Sequence, residues 1–133
     1  MIVQRLDHVN IITDRLSETA RLYSELLDLE ERDGPPPLQP DQVRWMYDKN
    51  DIAILHLNSV DCPRAYDRSV APGSETGAIH HVALRCGDFD EVVKRLDARD
   101  ADYTINDLSA VGLRQIFTAD PNNVLLELNF FSE

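Results

Sequence analysis

Among the side chains of metal-binding type in this 133-residue chain, four fall at matched places: His8, His56, His81 and Glu127. Three imidazoles and a carboxylate suit a divalent ion such as zinc, nickel, iron or manganese. Such a set nearly fills a tetrahedron, or leaves two positions open on an octahedral ion. A lone histidine on a strand is more often a hydrogen-bonded core residue than a ligand. Spacing argues against that reading here. His8 lies in Leu6-Asp7-His8-Val9-Asn10-Ile11 and His81 in His80-His81-Val82-Ala83-Leu84, and nearly the same offset that relates them also relates His56 to Glu127. Two matched anchors mark an internal repeat.

The elements that must position these side chains follow from periodicity. Residues 3–12 are rich in β-branched residues and predict a strand with His8, Asn10 and Ile12 on one face and Val9 and Ile11 on the other. Leu16, Ala20, Tyr23 and Leu27 recur at helical spacing, with Ser17 or Asp14 as N-cap and an end near Asp28. A short strand is expected over 30–33, then a break at Gly34-Pro35-Pro36-Pro37. Strands over 43–47 and 52–57 flank an Asp48-Lys49-Asn50-Asp51 turn. The pattern then restarts. A strand is expected over 78–86, a helix capped by Asp88 with Phe89, Val92, Val93 and Leu96, and a strand over 103–106. Strands over 113–118 and 124–130 flank an Asp120-Pro121-Asn122-Asn123 turn. Each half therefore runs strand, helix, strand, strand, strand, which predicts modules at 1–58 and 78–133 joined by a linker at 59–77, one α+β domain overall.

The apolar face of each half-buried strand should meet a helix. That leaves His8, His56, His81 and Glu127 on the opposite faces, where paired modules would bring them together. Asn10, Asn58 and Asn129 each follow a candidate ligand by two residues and share its face, placed to orient ligands or hold substrate. Alternation assigns Arg44, Met46, Gln115 and Phe117 to the same face. Arg44 then either holds an anionic substrate group or pairs with a nearby acid. His80 belongs on the helix-facing side. The 59–77 stretch, with Arg64, Tyr66 and Arg68, is a tether between modules or a lid.

The bulk properties set limits. A net charge of −11 argues against nucleic acid as partner. The apolar runs are too short to span a membrane. The N-terminus lacks the pattern of a signal peptide, so a cytoplasmic protein is expected. Cys62 and Cys86 have no zinc-type spacing and are expected to be free thiols.

At these residues the chain resembles the vicinal oxygen chelate superfamily, the glyoxalase/bleomycin resistance/dioxygenase group. Asp7-His8-Val9, Tyr23-x-x-x-Leu27, His80-His81-Val82-Ala83-Leu84 and Asp120-Pro121-x-x-x-x-x-Glu127 carry the resemblance. It implies two βαβββ modules forming a cupped, incomplete barrel around one divalent metal, and a homodimer. Glyoxalase I-like lyases place histidine, glutamate, histidine and glutamate at the positions of His8, His56, His81 and Glu127. Methylmalonyl-CoA epimerases place glutamine at the position of His56. Both shift a proton beside a carbonyl while the metal stabilises an enediolate. By this resemblance the protein is a glyoxalase I-type lyase or isomerase acting on a small α-oxo compound or thiol conjugate. The base is His56 or Glu127, and Asn10, Arg44, Gln115, Phe117 and Asn129 contact substrate. Extradiol dioxygenases and fosfomycin-resistance transferases use two histidines and a glutamate, which His8, His81 and Glu127 also match, with His56 left as a base. The extradiol tyrosine is replaced by Phe117, which ranks dioxygenase chemistry lower. A non-catalytic antibiotic-binding protein is the remaining alternative; such binders generally lack the ligands.

Overall fold

The computed structural model describes residues 1–132. The chain divides into two compact units, Met1–Gly73 and Ser74–Glu133. The first contains β1 (Val9–Thr13), α1 (Leu16–Leu27), β2 (Glu30–Asp33), β3 (Val43–Tyr47) and β4 (Ala53–Ser59). The second contains β5 (Val82–Cys86), α2 (Phe89–Ala98), β6 (Tyr103–Leu108), β7 (Leu113–Ala119) and β8 (Leu125–Phe131), with a 3₁₀ turn at Ser109–Val111. Each unit is an open four-stranded mixed sheet with one helix, in strand order β1-β4-β3-β2 and β5-β8-β7-β6. The first and last strands of each unit are parallel neighbours, and the other pairs are antiparallel. The α+β architecture of two βαβββ modules is thus present.

Helix α1 forms where apolar residues share one face. Ala20, Leu22, Tyr23 and Leu26 are buried, and α1 packs on β2, β3 and β4. Its start is capped neither by Asp14 nor by Ser17. The Oγ1 of Thr13, at the end of β1, accepts the Arg15 N–H at 2.8 Å. Left-handed Asp28 (φ 59°) ends the helix, and the Leu29 N–H turns back to the Tyr23 carbonyl at 3.2 Å. After α2 the chain turns in the same way: Asp100 is left-handed (φ 52°), and the Ala101 N–H bonds the Leu96 carbonyl. Aspartate tolerates this conformation better than most residues with a Cβ.

The hairpin turns repeat just as closely. Asp48 Oδ1 accepts the N–H groups of Asn50 and Ile52, and Asp120 Oδ1 accepts those of Asn122 and Val124. Asp51 and Asn123 close the two turns at positive φ. Each acidic side chain thus substitutes for a missing strand partner. The cores lie under the helix-facing sheet surfaces, where Leu55, Leu57, Met46, Ile116, Leu126 and Leu128 are almost fully buried. Each such side chain contributes roughly 1.5–3 kcal/mol.

Two strands are shorter than the sequence suggests. β1 begins at Val9 rather than Val3, and β5 at Val82 rather than Ala78. Val9 pairs with Leu55 and Val82 with Leu126, close to the start of β4 and β8. The hairpin turns end the neighbouring strand there, so earlier residues find no ladder to join. Ile2, Val3, Leu6 and Ile79 are exposed. His8 and His81 therefore sit just past the end of a sheet. Between β4 and β5 the chain has no helix or strand. Within that stretch Arg64 is committed to its own loop, donating to the Val60 and Cys62 carbonyls and to Asp67 Oδ1. Among the described residues no helix is long and apolar enough to cross a membrane.

Candidate metal centre

Sheet register tests the repeat residue by residue. In the first unit Asn10 is the partner of His56, and in the second Ala83 is the partner of Glu127. His8 precedes Asn10 by two residues and His81 precedes Ala83 by two. The fold thus gives His8 and His81 equivalent positions just before β1 and β5, and His56 and Glu127 equivalent positions within β4 and β8. The neighbouring strand extends the correspondence: Trp45 pairs with His56, and Phe117 with Glu127.

In the first unit the two histidine rings lie face to face. His8 stacks on His56 at 3.7 Å between centroids and 14° between planes. Trp45 covers the ring of His56 at 4.0 Å and 9°. Asp7 Oδ2 accepts the Nδ1 proton of His8 at 2.5 Å, which fixes the tautomer and leaves Nε2 as the open nitrogen. That hydrogen bond is the main reason the Asp7 carboxyl is held below its usual range. The His56 imidazole is pushed below its usual value, first by burial and then by the nearby charge of His8. Asn58 Nδ2 donates to Asn10 Oδ1 at 3.0 Å, which leaves the Asn10 amide nitrogen to donate on this face.

In the second unit His81 Nδ1 is hydrogen-bonded to His80 Nδ1 at 3.0 Å. His80 is exposed rather than helix-facing, and its contact braces the His81 ring through Nδ1. The Nε2 of His81 stands 3.8 Å from Glu127 Oε1. Two metal–ligand bonds of about 2.1 Å span at most about 4.2 Å, so this nitrogen and this oxygen can bind one ion together. Asn129 Nδ2 donates to the other oxygen, Oε2, at 3.0 Å. Gln115 pairs with Asn129 across β7 and β8, on the same face.

His56 differs from the other three candidates. An ion held by an imidazole lies in the plane of its ring, about 2.1 Å beyond the nitrogen. With His8 and His56 stacked, an ion in the plane of one ring is roughly 3 Å out of the plane of the other. The two rings cannot share an ion in this arrangement. Among the described residues no three His, Cys, Asp or Glu side chains gather into one cluster. The donors nevertheless suit a divalent ion: the open Nε2 of His8, the Nε2 of His81 beside Glu127, and a carboxylate oxygen of Glu127.

Arg44 and Met46 do not lie on the ligand face. Arg44 pairs with Leu57 and Met46 with Leu55, both on the helix-facing side. Met46 is fully buried, and Arg44 donates to Glu31 Oε1 at 2.7 Å and Asp33 Oδ1 at 2.6 Å. Alternation alone put β3 out of phase by one residue. The repeat carries the correct phase, because matching the Asp48 turn to the Asp120 turn sets Trp45 against Phe117. Trp45 is the site residue that reading missed. Val43 shares the face of Trp45 but is buried, because Gly34 lies against it; a Cβ at Gly34 would come within 2.5 Å of Val43 Cγ1.

A family model described as Glyoxalase/Bleomycin resistance protein/Dioxygenase superfamily matches residues 5–128. A glyoxalase/dioxygenase from Nostoc punctiforme is similar in structure with a TM-score of 0.75 at 17% identity, covering 99% of this chain and 94% of that one. A glyoxylase/bleomycin resistance protein/dioxygenase domain from Frankia sp. EAN1pec gives 0.70 at 18% identity, covering 98% and 94%. The fosfomycin resistance protein FosX from Listeria monocytogenes gives 0.66 at 18%, covering 98% and 96%. At such identities the likeness establishes the fold. No curated protein matches.

Proposed function

The chain belongs to the Glyoxalase/Bleomycin resistance protein/Dioxygenase superfamily, and on that premise we propose that it is a divalent-metal-dependent enzyme acting on a small molecule, with His8, His81 and Glu127 as ligands and His56 as the base. The observation that carries it is the His8–His56 stack, which separates a ring fit to coordinate from one fit to accept a proton.

When bound, the ion supplies Lewis-acid polarisation of a substrate oxygen. The chain's own residues supply the rest. Asp7 holds His8 with Nε2 outward, and His80 braces the His81 ring through Nδ1. Burial keeps the His56 ring neutral, the form that takes a proton, and Trp45 fixes its plane. Asn10 offers its amide nitrogen to a substrate oxygen. Phe117, beside Glu127 in the register, offers an apolar surface and no hydroxyl. A neutral base beside a polarised carbonyl fits proton transfer of the glyoxalase I type on an α-oxo compound or thiol conjugate.

The same stack favours a second reading. Three protein ligands match the two-histidine, one-carboxylate sets of fosfomycin-resistance transferases and extradiol dioxygenases more closely than a four-ligand set does. The test couples metal analysis to an activity screen over hemithioacetal isomerisation, acyl-CoA epimerisation, catechol cleavage and fosfomycin inactivation. About one divalent ion per site and proton-transfer activity are expected. A catechol product or loss of fosfomycin would select the second reading. No metal in the purified protein, and none taken up from nickel, zinc, iron or manganese, would sink both.

A further inference from the structure

Three amides cross the second sheet in a line that ends on Glu127. Asn106 on β6 donates through Nδ2 to Gln115 Oε1 at 2.9 Å. Gln115 on β7 donates through Nε2 to Asn129 Oδ1 at 2.9 Å. Asn129 on β8 donates through Nδ2 to Glu127 Oε2 at 3.0 Å. Register makes the line possible: Asn106 pairs with Gln115, and Gln115 with Asn129, so the three stand side by side on one face.

The carboxylate sets the direction of the whole line. An ionised carboxylate only accepts, so Asn129 must turn its NH₂ towards Glu127 and its oxygen towards β7. Gln115 must then donate to that oxygen, which turns its own oxygen towards Asn106. Bonds in such a series polarise one another. The first unit has no counterpart. Asn58 follows His56 as Asn129 follows Glu127, yet it donates to Asn10 and reaches His56 only at the backbone carbonyl, 3.5 Å away.

We infer that Asn106, Gln115 and Asn129 are positioning residues for Glu127. The relay holds Oε2 and presents Oε1, the oxygen facing His81 Nε2, for coordination. The inference rests on the metal reading above, and it moves Gln115 and Asn129 from contact with substrate to support of a ligand. Any effect of Gln115 on Glu127 passes through Asn129.

The test uses ¹⁵N-labelled, metal-free protein carrying Gln115→Met, which removes both the donor and the acceptor at the middle of the line. In the parent the Asn129 side-chain NH₂ signals lie away from the free-amide position and exchange slowly with water. In Gln115→Met, which leaves the Asn129–Glu127 bond without its support from β7, they shift towards the free-amide position and exchange faster, while backbone amides elsewhere in the sheet stay in place. Asn106→Ala keeps the bonds nearest Glu127 and moves these signals less. Gln115→Ala gives the same readout if the longer side chain disturbs the sheet. Unchanged Asn129 signals overturn the relay. Titration with zinc or nickel should then show binding weaker on the order of tenfold in Gln115→Met. Parent-like affinity despite shifted Asn129 signals would overturn the positioning role. A parent that takes up no metal sinks the metal reading, and the relay then stands or falls on the Asn129 spectrum.

Discussion

Replacing each histidine of the stack separately should have unequal effects on metal binding. His8 keeps its Nε2 open because Asp7 holds Nδ1, whereas His56 lies flat between His8 and Trp45. Structural zinc sites with four ligands bind with about 10–16 kcal/mol, so one ligand is worth about a quarter of that. His8→Ala should therefore weaken binding by about a hundredfold to a thousandfold, and His81→Ala and Glu127→Gln should behave alike. His56→Ala removes an aromatic contact worth about 0.5–1.5 kcal/mol. Its effect reaches the ion only through the freedom it gives His8, which limits the loss to about tenfold. Activity should instead collapse, because the base is gone. The assay is competition against a chromogenic chelator, with thermal unfolding as a control that each variant is folded. Equal losses of affinity in His8→Ala and His56→Ala would refute the stacked-ring argument and return His56 to the ligand set.

Three further outcomes follow from the same geometry. The His56 imidazole is held below its usual value near 6.5, mainly by burial, so the unfolded chain binds a proton there more tightly. Its contribution to stability is complete above that value and is lost as pH falls through 6.5 towards the folded value; denaturant unfolding from pH 8 to pH 5 should show a smaller decline in His56→Gln. Burial pushes the Cys86 thiol up to about 11, and Cys62 is 4% exposed with its thiol also raised by burial. Both should react slowly with iodoacetamide at pH 8 and quickly in denaturant, and fast labelling of the folded protein would contradict the burial of Cys62 and the raised thiol of half-buried Cys86. Gly34→Ala drives a methyl against Val43 and should cost about 1–3 kcal/mol in chemical denaturation, without affecting metal affinity.

The repeat, the two helices, the Asp-led turns and the faces of His56 and Glu127 were legible in the sequence, because each rests on local chemistry. Periods of two and 3.6 residues tell which side of an element is apolar, and an aspartate followed by a turn declares itself. Residue order was also enough to set the matched offsets that single out His8, His56, His81 and Glu127. Other features depend on partners in space. The length of β1 was decided by where β4 begins, and the phase of β3 by its pairing with β4, which exchanges Arg44 for Trp45 beside His56. Ring orientation is likewise tertiary: a histidine's position in the chain says nothing of its plane, and the plane separates ligand from base. The amide relay is the clearest case. Asn106, Gln115, Asn129 and Glu127 are ordinary polar residues spread over three strands, and only the register of β6, β7 and β8 lines them up.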